Sequence, residues 1–342
     1  MLLLPLLHML QSTRATDSDV IAAASATEPE NPPKLKFKIP DGTISQSMGE
    51  ELCKKLCELY PTVFDGGLGL FKGAEARMHV KPGHEDALRS VGLRPLAKVA
   101  YGMQDEVKVK VNEMYDTFWV PIDGRELMVA SQLVPVVKNK NKVKPDGKKD
   151  VRMVCNYKST INNHLLDEPH VFSTCNEQFD KLKGEYRTTI DLSGAFNQIA
   201  VPEGFSQKVL AVVTPRGYAI PTRMPFGVKT APGIWTSNMN KLIHGMGGRK
   251  PLKSTACIVD DVCVTGATPR EHLENLHEFI YRLYAAGLKA NLSKCSFYQD
   301  EVKFLGKLWI KRAFAWILLQ LMLLRICLLL QIKANYRVFL VI

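Results

Sequence analysis

Hydrophobic positions recur at helical spacing in four segments of the chain, and they predict four amphipathic helices. The strongest pattern covers 269–286, and Gly287 follows it as a stop signal. The other three helices are predicted over 49–60, 104–115 and 233–244. In chain order, the residues that share a face are Leu52, Leu56 and Leu59; Val107, Val111 and Met114; Ile234, Asn238 and Leu242; and Leu273, Leu276, Ile280 and Leu283.

Shorter apolar runs bounded by turn residues predict β-strands. Two of them, 133–137 and 151–155, are joined by a tip over 138–150 that contains the turn signal Pro145-Asp146-Gly147. The run 256–266 is interpreted as two strands that meet at an acidic pair. Single strands are predicted at 186–191, 209–214, 218–222 and 302–309, and 192–196 is expected to turn the chain into a helix-like segment.

The two ends differ in character from the middle. Residues 1–45 combine a short apolar run with a polar linker, and we expect a disordered leader there. Residues 313–330 are apolar apart from Gln320 and Arg325, so hydropathy alone predicts a membrane-spanning helix there. A buried helix is the first alternative, although a helix that is apolar on every face needs a large surrounding core.

Composition narrows the class of protein. The 342 residues are 46% apolar and 23% charged, which excludes a disordered or collagen-like chain. The formal net charge of +11 favours a polyanionic partner, either a nucleic acid or an acidic membrane surface. The eight cysteines are scattered, so reduced and mostly buried thiols are expected. Cys53 and Cys57 lie one helical turn apart, but no second Cys or His pair stands near enough in sequence to complete a zinc site.

Part of the positive charge is concentrated at the predicted hairpin. Residues 138–158 contain eight Lys or Arg and two Asp. Such a cluster is commonly a solvated hairpin tip, and the alternative is a basic finger that holds phosphates.

Acidic residues end two of the predicted strands. Asp191 closes the strand 186–191, and Asp260 and Asp261 sit between the two strands of 256–266. Carboxylates crowded at one sheet edge repel each other unless a cation neutralises them. Their hard oxygens suit Mg²⁺, and two such ions a few ångström apart are the apparatus of in-line phosphoryl transfer.

Six motifs follow one another along the chain: VRMVCNYKSTIN (151–162), TTIDLSGAFNQI (188–199), RMPFGVKTAP (223–232), CIVDDVCVTG (257–266), EHLENL with AGLKANLSKCSF (271–297) and VKFLG (302–306). In this order they resemble the reverse transcriptase of gypsy-type LTR retrotransposons, over about residues 50–310. Upstream, YPTVFDGGLGLFKGAEARMHVKPG (60–83) is similar to the segment that joins protease to polymerase in such polyproteins. The resemblance implies an α+β fold with right-hand polymerase fingers and palm, the palm being a ferredoxin-like βαβ antiparallel sheet with helices on one face.

The resemblance also assigns the metal site. Asp191 and Asp260 would hold two Mg²⁺ ions, for which Mn²⁺ is a possible substitute. Asp261 would support them, and the backbone carbonyl of Leu192 would add a ligand. These residues are therefore the expected catalytic and metal-binding set.

Four further residues are expected to bind the incoming nucleotide. Phe196 would sit beneath the sugar and exclude a 2′-hydroxyl, and the alternative is an ordinary core aromatic. Arg152 would hold the triphosphate, and the alternative is a surface charge. Phe226 and Gly227 would shape the floor of the pocket, where glycine permits close backbone approach. Phe279, Leu283 and Leu288 are interpreted as core.

The chain departs from the family pattern in several places. Ile258 stands where the family usually has an aromatic residue before the acidic pair, Asn156 stands where it has Asp, and the basic tip is longer. After VKFLG the expected continuation is absent, yet a reading frame shifted back by one base can encode it. We therefore expect 311–342 to be a frameshifted apolar tail, a hypothesis that the genomic DNA can test.

The expected organisation is a leader over 1–45, a protease-to-polymerase connecting segment over 46–130, a fingers and palm domain over 131–310, and the tail. The thumb and RNase H domains are expected to be missing. The favoured function is that of an RNA-directed DNA polymerase. Its expected partners are a primer on an RNA or DNA template and deoxynucleoside triphosphates. No membrane partner is expected, and the other Pol domains are expected to be absent from this chain. The alternatives are an inactive remnant that at most binds nucleic acid and, more weakly, a membrane-tethered protein. The family implies a location in the cytoplasm or in virus-like particles, with nuclear access.

Overall fold

The computed structural model describes residues 32–35, 37–40, 42–137, 151–168, 173–245, 249–304 and 307–310. The predicted tip over 138–150, the apolar tail and most of the predicted leader lie outside these residues. Within the described ranges, no helix is both long and apolar enough to cross a membrane.

The four long helices predicted from hydrophobic spacing are all present. In the described part of the chain the α-helices are α1 (Gln46–Glu58), α2 (Glu85–Val91), α3 (Gln104–Tyr115), α4 (Cys175–Lys181), α5 (Phe205–Val209), α6 (Ala231–His244) and α7 (Pro269–Ala285). Helix α7 begins where the Thr268 hydroxyl accepts the Glu271 amide, with Pro269 in its first turn. Helix α6 ends at Gly245, whose φ of 79° is the left-handed conformation that commonly stops a helix.

The buried face of α6 differs from the predicted one. Ile234 is buried as expected, but Asn238 and Leu242 are only partly buried. The core instead receives Trp235, Met239 and Ile243, which also recur at a spacing of four residues.

The strands form two main sheets and a hairpin. In order along the described chain they are β1 (Trp119–Ile122), β2 (Ser131–Val137), β3 (Val151–Cys155), β4 (Tyr186–Asp191), β5 (Val212–Thr214), β6 (Gly217–Pro221), β7 (Thr255–Ile258), β8 (Asp261–Gly266), β9 (Ser296–Gln299), β10 (Glu301–Phe304) and β11 (Lys307–Ile310). The five-stranded sheet has the order β1-β6-β5-β2-β3. In it, β2 and β3 pair antiparallel from Leu133 opposite Cys155 to Val137 opposite Val151, as predicted.

The four-stranded sheet has the order β7-β8-β4-β9 and is antiparallel throughout. Helix α6 precedes β7 and helix α7 connects β8 to β9, so the topology is the ferredoxin-like arrangement expected for a polymerase palm. Val262 and Val264 of β8 join the main core with helix α7, whereas Cys263 joins a small cluster with Phe179 and Phe304. Because alternate residues of a strand point to opposite faces, the two clusters cover the two faces of this sheet. The fold is mixed α+β.

One main core runs through most of the described chain. It includes Leu52 and Leu56 of α1 together with Leu273, Phe279 and other residues of α7. Phe279, Leu283 and Leu288 are at most 1% exposed, as predicted. The seven described cysteines are all free thiols, and four of them are buried.

Two predicted strands are wrong in detail. The prediction of one strand over 302–309 is replaced by β10 and β11, which pair antiparallel with Glu301 opposite Ile310. The predicted strand over 209–214 is shortened, because the short helix α5 reaches Val209 and strand β5 begins only at Val212. In the first case Gly306, a turn signal, stands between the two strands. In the second case an apolar run without a breaker conceals the end of a helix.

Candidate active site

The three predicted aspartates meet at one edge of the four-stranded sheet. Asp191 is the last residue of β4 and lies directly opposite Asp261, the first residue of β8. Ile258 pairs with Asp261 across the β7–β8 hairpin, so Val259 and Asp260 form its two-residue connection. The amide of Leu192 donates a hydrogen bond to the Asp260 carbonyl oxygen at 3.0 Å. The structure therefore brings together the four residues that the sequence assigned to a metal site.

Burial and repulsion from its neighbours affect the ionisation of Asp261. Burial, followed by the charges of Asp260 and Asp191, raises the pKa of the Asp261 carboxyl, and the nearby Lys294 opposes the rise. The Lys294 ammonium lies 3.3 and 3.4 Å from the two carboxylate oxygens of Asp191. Lys294 belongs to the short turn Leu292–Lys294 before β9 and was not assigned a site role from sequence. Its side chain is 63% exposed, so the pair is a weak surface contact that a stronger cation can replace.

The donor chemistry of this edge fits Mg²⁺ or Mn²⁺. Three carboxylates and a backbone carbonyl are hard oxygen ligands, and their accumulated negative charge favours a divalent cation. Among the residues that the structure describes, no three His, Cys, Asp or Glu side chains are already arranged as a metal site. We therefore propose that this edge binds divalent ions, on the basis of its oxygen donors, its negative charge and the strand register that sets Asp191 opposite Asp261.

Removing one of these charges is expected to stabilise the metal-free protein. The folded chain holds the Asp261 proton more tightly than the unfolded chain, because the pKa is raised above its ordinary 3.8. Stability is therefore lost as the pH rises from about 3.8 through the raised value, and the loss is complete above it. We expect Asp261→Asn to have a higher Tm than the wild type at pH 7 in a chelator, with a difference that disappears below about pH 3.8. A lower Tm at pH 7 would contradict the unfavourable burial and repulsion of the ionised Asp261 carboxylate.

Phe196 links the acidic edge to the second group of predicted residues. It lies on the short helical turn Ala195–Gln198 that follows β4, and it is partly buried. Its ring centroid is 5.6 Å from that of Phe226 and 6.4 Å from that of Trp235. Phe226 itself is 52% exposed, so its ring is available to a ligand.

Gly227 holds the loop before α6 against strand β3. Its φ is +97°, and a Cβ atom at this position would lie 2.8 Å from the Cys155 carbonyl oxygen. Asn162 fastens the same loop, because its side-chain amide donates to the Gly227 carbonyl at 2.9 Å and its side-chain oxygen accepts the Lys229 amide at 3.1 Å. Sequence reasoning missed Asn162. The close approach of the loop to the Cys155 carbonyl oxygen explains why position 227 needs glycine.

Arg152 and Phe226 lie on one open cleft of about 280 Å³. Arg152 is an exposed residue of β3, opposite Val136 of β2. The remaining wall comes from α3, the segment after it, the start of β1, strand β3, the short turn Ala195–Gln198 and the residue before Phe226: Lys110, Glu113, Met114, Thr117, Phe118, Trp119, Val151, Met153, Cys155, Asn197 and Pro225. The aspartates, Leu192, Phe196 and Gly227 are not part of this wall. Of the predicted nucleotide-binding residues, Arg152 and Phe226 therefore lie in the cleft and Leu192 lies at the acidic edge. The Phe196 ring contacts Phe226, and Gly227 lies against strand β3.

Trp235 is a second residue that sequence reasoning missed. It is fully buried on α6, and its indole Nε1–H donates a 2.6 Å hydrogen bond to the Val259 carbonyl in the acidic hairpin. Its position at i, i+4, i+8 with Met239 and Ile243 was the available signal for burial. Spacing alone gives no indication of its polar partner.

Comparison with known proteins gives a family match. A family model described as reverse transcriptase (RNA-dependent DNA polymerase) matches residues 137–307, half of the 342-residue chain. An uncharacterized Caenorhabditis elegans protein is 30% identical over 249 residues, covering 72% of this chain and 18% of that protein. The retrovirus-related Pol polyprotein from transposon 297 of Drosophila melanogaster is 33% identical over 168 residues, covering 48% of this chain and 15% of the polyprotein. The chain therefore spans less than a fifth of the length of these two relatives.

Solved structures share the fold. The foamy viral protease–reverse transcriptase in complex with an RNA/DNA hybrid superposes with a TM-score of 0.60 and 20% identity, over 82% of this chain and 36% of that one. The native prototype foamy virus protease–reverse transcriptase gives a TM-score of 0.60 and 18% identity, over 80% and 36% of the two chains.

Proposed function

The chain belongs to the reverse transcriptase (RNA-dependent DNA polymerase) family, and from this premise we propose that it is the polymerase core of a gypsy-type LTR retrotransposon. The proposed reaction is extension of a DNA primer on an RNA or DNA template with deoxynucleoside triphosphates. The primer 3′-hydroxyl oxygen attacks the α-phosphorus and loses its proton to water, a new P–O bond forms, and the bond from the α-phosphorus to the bridging oxygen breaks to release pyrophosphate. The observation that carries the proposal is the register that sets Asp191 opposite Asp261, with Asp260 in the adjoining turn.

Asp191, Asp260 and Asp261, with the Leu192 carbonyl, are the residues that would hold two Mg²⁺ ions. When bound there, the ions supply positive charge to the attacking oxygen and to the departing pyrophosphate. The chain itself fixes the aspartates in place. The Leu192 amide donates a hydrogen bond to the Asp260 carbonyl, and the Asn291 amide donates one to the Asp191 carbonyl at 2.8 Å. Both neighbouring segments therefore hold the acidic edge in place before a ligand arrives.

Arg152, Phe226 and Gly227 are proposed to bind the nucleotide from the other side. The exposed Arg152 guanidinium can donate two parallel hydrogen bonds to phosphate oxygens. The Phe226 ring offers an apolar surface, and Gly227 keeps it close to strand β3. Phe196, which packs on Phe226, is proposed to meet the sugar and discriminate against a 2′-hydroxyl.

The proposal is tested by primer extension with the purified full chain. A labelled DNA primer annealed to an RNA template, with the four deoxynucleoside triphosphates and Mg²⁺, should be extended. A chelator should stop the reaction, and added Mn²⁺ should restore it. If no extension occurs while RNA binding persists and weakens with salt, the chain is a remnant that only binds nucleic acid.

A further inference from the structure

We infer that Trp235 is a positioning residue of the polymerase, which holds the tip of the acidic hairpin by hydrogen-bonding the Val259 carbonyl. The inference rests on the proposed function, because the hairpin matters for catalysis only if Asp260 and Asp261 act there. No part of it requires Trp235 to touch a substrate.

The turn at the hairpin tip has an unfavourable residue in its first position. Val259 has a φ of +55°, whereas Asp260 is not among the residues with positive φ. A two-residue hairpin turn with positive φ at its first central residue usually has glycine there. A β-branched side chain disfavours this conformation more than most, so the turn needs support from elsewhere in the fold.

Hydrogen bonds from outside the hairpin supply that support. The Trp235 indole donates to the Val259 carbonyl at 2.6 Å, and the Leu192 amide donates to the Asp260 carbonyl at 3.0 Å. The Cys257 thiol is a weaker donor to the same Val259 oxygen at 3.6 Å. Both carbonyls of the strained turn are therefore bonded to neighbouring elements, and the indole is the strong donor to the first.

The position of the indole also ties the hairpin to the nucleotide side of the site. Its ring makes edge contacts with Phe71 at 6.0 Å and with Phe196 at 6.4 Å between centroids. A phenylalanine at this position can keep those contacts but cannot donate the hydrogen bond. The substitution Trp235→Phe therefore separates the hydrogen bond from the packing.

The test is a double-mutant cycle of Trp235→Phe and Val259→Gly in the full chain, measured by primer extension. With valine at position 259, Trp235→Phe should lower kcat by about 30-fold, since small displacements of reacting groups have effects of this size. The KM for the nucleotide should change by less than about twofold, because ground-state binding is untouched. In the Val259→Gly background the same change should lower kcat by less than about threefold, because glycine adopts the turn without help.

Equal losses of kcat in the two backgrounds would overturn the inference, since the effect of the indole would then not depend on the strained turn that it is inferred to hold. A structural measurement separates this failure from a failure of the proposed function. The Asp260 amide nitrogen belongs to the same peptide unit as the Val259 carbonyl, and its NMR resonance should shift in Trp235→Phe but not in the matched control Trp119→Phe. If Trp235→Phe does not fold, a coupling across the hydrogen bond from the indole nitrogen to the Val259 carbonyl carbon in the unmodified chain tests the same contact. Absence of that coupling, or of the Asp260 shift, would contradict the inference even in an inactive chain.

Discussion

Asp260→Asn is expected to lower the rate of nucleotide incorporation by about 1,000-fold or more, the largest functional effect that we predict. Asparagine keeps the size of the side chain, and the Asp260 carbonyl can still accept the Leu192 amide, so the hairpin should fold. What is lost is one negative charge of a group of three. The measurement is single-turnover primer extension at saturating nucleotide, with circular dichroism to verify folding.

Asp180→Asn is the matched control for this substitution. Asp180 is an exposed residue of helix α4, so the change removes the same charge from the chain without touching the acidic edge. The control should keep its activity within about twofold of the wild type. If Asp260→Asn kept more than about a tenth of the wild-type rate, the carboxylate would not be part of the reaction centre.

The acidic edge could be predicted from sequence because it depends on local rules. Apolar runs on both sides of Asp260 and Asp261 predicted two strands, and Asp191 ended a third run of the same kind. Once these strands are neighbours in one antiparallel sheet, the three carboxylates meet at its edge, as the pairing of Asp191 with Asp261 shows. The four long helices followed from the period of their apolar residues, although for α6 the period did not give the correct buried face.

The contacts that refine the site could not be predicted in this way. Trp235 and Val259 are 24 residues apart, and Lys294 and Asp191 are 103 residues apart. Each pair depends on how a helix or turn docks on the sheet, and neither periodicity nor propensity carries that information. The same reason explains why Asn162 escaped notice, because its partners Gly227 and Lys229 belong to a loop far along the chain.

Strand ends were the weakest predictions for a different reason. The run 302–309 contains Gly306 between its apolar residues, and this single turn residue was the available signal for the division into β10 and β11. Around Val209, a helix of one turn competes with a strand over a few residues, and propensity differences over such a length are small.

Gly227→Ala is expected to reduce the free energy of unfolding by about 3 kcal/mol, the largest effect on stability that we predict for a single methyl group. About 1–2 kcal/mol comes from a φ of +97° that a side chain disfavours. The rest, about 1–3 kcal/mol, arises because the new Cβ would lie 2.8 Å from the Cys155 carbonyl oxygen, so the loop must move away from strand β3. The movement displaces Phe226 in the cleft, and the KM for the nucleotide should rise by about tenfold in consequence.

Gly217→Ala isolates the contribution of this contact. Gly217 begins β6 with a φ of +109°, but a Cβ atom there would meet nothing within 4 Å. It should therefore lose only the conformational part, about 1–2 kcal/mol, and leave the KM unchanged. Urea denaturation of both variants, read as a shift in midpoint at constant slope, gives the comparison. Equal losses of stability would mean that the loop yields freely at Cys155, and Gly227 would then be required for its backbone conformation and not for close approach to the strand that carries Arg152.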